Sequence, residues 1–124
     1  MTASRFPPVA IPEVPFAAAL QAICLAQPGA WEDYPWGSVV FKVGPKMFAT
    51  MGEIDGVARV TVKATPADAA VLVTRPGIAP AHYVGRFGWV TMAVAGEDDF
   101  ALAGELIGAS YVLVAPKRRR RRLT

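Results

Sequence analysis

Phe16, Leu20, Ile23 and Cys24 recur at steps of three to four and fall on one apolar stripe of a helix. Pro15 suits that helix's first turn, where a missing N–H is tolerated, and Pro28 with Gly29 stops it. The period then shortens to two. Residues 38–43 are rich in β-branched and aromatic side chains, Gly44 and Pro45 signal a turn, and residues 46–51 can pair back. After a break at 52–56, Ala58, Val60 and Val62 alternate with Arg59, Thr61 and Lys63, so one face of this strand is expected inside and the other wet. Thr65, Pro66 and Asp68 supply an N-cap, a proline at the first helical position and an acid two residues on, which predicts a short helix to about Thr74. Pro76, Gly77 and Pro80 break the chain again. A short strand is expected at 82–84, turning through 85–88 into a strand over 89–95. Glu97, Asp98 and Asp99 complement the dipole of a final helix, on which Phe100, Ala103, Ile107, Ser110 and Val114 share a face. Its last stretch, 111–115, fits a strand equally well.

The predicted order is α-β-β-β-α-β-β-α: an α+β two-layer sandwich, with helices on one face of an antiparallel sheet. Residues 1–14 are expected to form a proline-rich extended arm, because each proline fixes φ and keeps its predecessor out of the helical region. Residues 15–116 make the domain, and 117–124 a basic disordered tail.

Composition narrows the class. The chain has 124 residues, enough for one core, and with 53% hydrophobic and 19% charged residues it is neither disordered nor collagen-like. No run of about 18 apolar residues predicts a membrane helix. The single Cys24 excludes an intramolecular disulfide, and no apolar leader segment precedes the first helix, so a cytoplasmic protein is expected. Net charge is +3, yet Lys117, Arg118, Arg119, Arg120, Arg121 and Arg122 alone supply six positive charges. Without them seven basic and ten acidic residues remain, so the globule leans acidic and its C-terminus is cationic.

Several ordered motifs resemble the MmcQ/YjbR family: QPGA at 27–30, YPWG at 34–37, VFKV at 40–43, GPKMFA at 44–49, VK at 62–63, GIAPAHY at 77–83, GWV at 88–90 and ELIxxSY at 105–111. The resemblance spans about 16–116. It implies a small bacterial CyaY-like or secretion-chaperone-like two-layer domain. It also implies a DNA-binding role through two β-hairpins acting as a double wing, with no enzymatic activity attached. The arm and the tail depart from the family pattern.

The candidate chemistry follows the charges. The tail can neutralise phosphates and release counterions, and arginine's planar fork suits phosphate oxygens. Lys42, Lys46, Lys63 and Arg86, with Arg59 and Arg75, form a second cationic set on the sheet. Lys46 follows the turn at 44–45, and Arg86 stands at the tip of the other hairpin. Trp31, Trp36, Trp89, Tyr34, Phe41, Phe48 and Tyr83 could stack on unpaired bases, but large aromatics are more often core, and Trp36 and Trp89 are expected there. No catalytic constellation emerges: Cys24 lies on an apolar face where a thiol is inert, and His82 is the only histidine. Glu97, Asp98 and Asp99 serve a helix start better than a metal ion. The expectation is a non-enzymatic nucleic-acid binder, DNA first, needing no cofactor, metal or membrane. The alternative is a protein-interaction or chaperone-like module with an apolar groove beside the sheet.

Overall fold

A computed structural model describes residues 4–82 and 84–116. Its elements are α1 (Ala17–Ala26), β1 (Ala30–Asp33), β2 (Val39–Val43), β3 (Lys46–Ile54), β4 (Val57–Lys63), α2 (Pro66–Leu72), β5 (Ile78–Pro80), β6 (Trp89–Val94) and α3 (Glu97–Val114). Single 3₁₀ turns occupy Pro35–Gly37 and Gly85–Phe87. The strands form one antiparallel sheet in the order β1-β2-β3-β4-β6-β5, and the α+β reading holds.

The alternation in β4 works as its sequence requires. Ala58, Val60 and Val62 are buried and pair with Val94, Met92 and Val90 of β6. The helices lie over this face: α3 contributes Ala103, Ile107, Tyr111 and Val114, and α1 contributes Leu20 and Cys24. Arg59, Thr61 and Lys63 point to the other face, opposite Ala93, Thr91 and Trp89. Asp55 and Gly56, at φ 52° and 81°, close the β3–β4 hairpin with the backbone hand that suits sheet twist.

Opposite Phe41 and Lys42 of β2 the register steps from Ala49 to Met47, a bulge that leaves Phe48 as the extra residue of β3. Phe48 turns inward there, edge-on to Tyr111 at 5.5 Å. Ser110 of α3, fully buried, completes the irregularity: its hydroxyl donates to the Phe48 carbonyl at 2.6 Å and accepts from the Lys63 N–H at 2.9 Å.

Several expectations need correction. Strand β1 is an element beyond the expected order, so four strands, and not three, separate the first two helices. An edge strand pairs on one side only, and its AWED sequence has no run of apolar alternation to betray it. The fifth strand is Ile78–Pro80, and not 82–84. Pro80 reads as a breaker, yet on an edge strand its missing N–H costs no ladder bond. Trp36 is not core: it is 91% exposed, in a left-handed conformation at φ 50°, with Phe6 5.6 Å away. Helix α1 begins two residues after Pro15, behind Phe16 at φ 72°. The stretch 111–114 is helical, because Tyr111 and Val114 continue the buried stripe of α3. Residues 4–14 contain neither helix nor strand, but they lie on the body: Val9, Ile11 and Val14 pack against the core, and Ser4 hydrogen-bonds to Asp33.

Candidate nucleic-acid interface

Antiparallel pairing decides which charges meet. The β2–β3 turn precedes Lys46, and the start of β3 pairs with the end of β4 through Ala49 and Val62. Lys63, the last residue of β4, lies opposite Trp89, the first of β6, and the turn carrying Arg86 immediately precedes β6. Lys46, Lys63 and Arg86 therefore stand at one end of the sheet. The C-terminus of α3 is there too, because Ser110 bonds to Phe48 and Lys63. The run Lys117 and Arg118 to Arg122, which follows α3 in sequence, lies outside the described residues.

The carboxylates favour the opposite end. Glu53 and Asp55 sit at the β3–β4 turn, and Glu97, Asp98 and Asp99 open α3 directly after β6. Asp99, in the first turn of α3, reaches back to accept from the Ala95 N–H at 3.0 Å, ahead of the N-cap Gly96. Near the cationic end stands one exposed acid, Asp68, whose own N–H is capped by Thr65 at 3.1 Å. Among the described residues no carboxylate pairs with Lys46, Lys63 or Arg86. Arg86 lies 4.7 Å from the ring centre of Phe87, which is 53% exposed.

Lys42 belongs to a different arrangement. Its ammonium meets the Asp33 carboxylate at 2.6 Å and lies 5.3 Å from the Trp31 ring, whose indole N–H donates to the Gly44 carbonyl at 2.9 Å. Lys42 and the Ser4 hydroxyl, with a further bond from the Tyr34 N–H, hold the Asp33 carboxyl below the usual carboxylate range. This latch joins the arm to β1 and β2, and Lys42 is consumed in it. Beside it, Glu32 accepts from Gln21 and Tyr34, each at 2.8 Å, and the bond to Glu32 raises the Tyr34 hydroxyl. Both clusters depend on cross-strand register and were not visible in the sequence; the adjacent acids at 32–33 were the available signal.

Arg59 faces the open side of β4, and its Nε is buried without a hydrogen-bond partner. Arg75 follows α2, away from the cationic end. Cys24 and His82 are not brought together. Cys24 is buried on α1, which packs on β1, while exposed His82 follows β5 at the far edge of the sheet. Burial, with the charge of Glu32, pushes the Cys24 thiol up to about 12, so it is inert at neutral pH. Among the described residues no three His, Cys, Asp or Glu side chains gather as for a metal ion, and no helix is long and apolar enough to cross a membrane.

The architecture is thus a small α+β domain with an open six-stranded sheet and a cationic end. The YjbR family model matches residues 25–113, and the chain belongs to the YjbR family. It is similar to the crystal structure of a Deinococcus radiodurans protein with a DUF419 domain, at 29% identity over 86% of each chain and a TM-score of 0.69. A Pseudomonas syringae protein, 24% identical, covers 76% of this chain and 96% of its own with a TM-score of 0.57, and shares the fold. No curated protein matches the chain.

Proposed function

We propose that this protein is a cytoplasmic, non-enzymatic DNA-binding protein that grips phosphates without regard to sequence. The supporting observation is the common location of Lys46, Lys63, Arg86 and the end of α3, from which the cationic run of 117–122 continues. The family resemblance to double-wing DNA binders points the same way, since both hairpin connections leave the sheet at this end.

Titrating labelled duplex DNA at several salt concentrations tests the reading. Neutralising five or six phosphates gives a slope of log K against log salt of about −5. A chain ending at Pro116 should bind more weakly and with a visibly shallower slope. Equal binding by both chains removes the proposed role of the run.

Binding by neither chain favours a second reading, a protein-interaction module. A groove of about 530 Å³ between α2 and α3 supports it. Val71, Leu72, Leu106, Val112 and Leu113 line this groove, and Val71 is 69% exposed.

A further inference from the structure

The geometry points to an unpaired polynucleotide strand, rather than a duplex, as the occupant of the cationic end, its bases stacked on Phe87 and Trp89. This rests on the phosphate-binding reading and specifies its substrate class. Three observations carry it.

The first is the placement of rings among cations. Trp89 is half-buried on the face that the helices leave open, directly across from Lys63. Phe87, two residues earlier, is 53% exposed with the Arg86 guanidinium against its ring. The second is rigidity. Gly88 lies between the two rings, and its carbonyl accepts from the Ala64 N–H at 2.9 Å, so both are presented from a segment fixed to the end of β4. The third is charge. Among strand residues on the open face the carboxylate is Asp33, which Lys42 already neutralises, while Lys63 has no acidic partner among the described residues. Polyanion and surface are complementary. A duplex hides its base faces within the stack, so rings beside phosphate-binding cations gain a partner only when bases are unpaired. Stacking of this kind is tolerant of sequence, because every base has a π-face.

The test is fluorescence anisotropy with the full chain and labelled dodecamers of dT, of rU and of a mixed-sequence duplex, at low and moderate salt. Tighter binding of the dT or rU oligomer than of the duplex is expected, and the two single strands show whether deoxyribose or ribose is preferred. Phe87→Ala should weaken single-strand binding about tenfold while leaving duplex binding within about twofold. Trp89→Phe should retain most of the affinity that Trp89→Leu loses, with unchanged thermal midpoints confirming that each variant is folded. Duplex binding as tight as single-strand binding overturns the inference and leaves the phosphate reading standing. So does an equal loss on both substrates in Phe87→Ala, which would trace to Arg86 losing its ring. Absence of binding to all three probes at low salt removes the phosphate reading itself.

Discussion

Gly88 shows how much a single atom can decide at this site. Its φ is +95°, and a Cβ there would come within 2.1 Å of the Ala64 carbonyl oxygen. Gly88→Ala should therefore cost at least about 2 kcal/mol, combining left-handed strain with a backbone collision. Urea unfolding monitored by circular dichroism checks this through a lower midpoint. The residue type was readable as a turn signal in the sequence, but the close approach to Ala64 was not, since it joins positions 24 apart. Asp33 supports a pH prediction. Its carboxyl is held down by Lys42 and Ser4, so the associated stability is present above the ordinary aspartate value of about 3.9 and is lost as pH falls through the lower folded value. Asp33→Asn should unfold at a lower temperature than the parent at pH 7. The gap should narrow as the pH drops below about 4, and a gap that stays constant with pH would contradict the latch.

Among the elements, the β3–β4 hairpin and α3 were legible because each buries a long periodic stripe. Strands β1 and β5 were not, because they are short edges with half the pairing of a central strand. The role of Ser110 was equally hidden. Helical spacing put it on the inward face, but its two backbone partners lie 47 and 62 residues away. Ser110→Ala should strand a buried N–H and a buried carbonyl where β3 and β4 part, at a cost of about 1–3 kcal/mol. Denaturant titration should show a shifted midpoint with an unaltered slope if packing elsewhere survives. Trp36 failed as a core residue for a local reason. The tight 3₁₀ turn that carries it adopts a left-handed backbone and points the indole outward, where Phe6 of the arm meets it.

For the molecule as a whole, layers and family could be read from the order of motifs, whereas the segregation of charge could not. A formal sum assigns the globule a mild negative charge and says nothing of where the charges lie. Position matters more than the sum: turns of a meander alternate between ends, so Glu53 and Asp55 are separated from Lys46 and Lys63 by the length of β3 and β4. The 18-residue α3 spans the same interval, about 27 Å, with three acids in its first turn and the arginine run beyond its last. Toward a polyanion of the kind proposed, such a molecule would act as a compass needle. Torque would turn the repelled pole away before contact, so that diffusive encounters arrive already oriented and added electrolyte slows capture even where the final grip is unchanged.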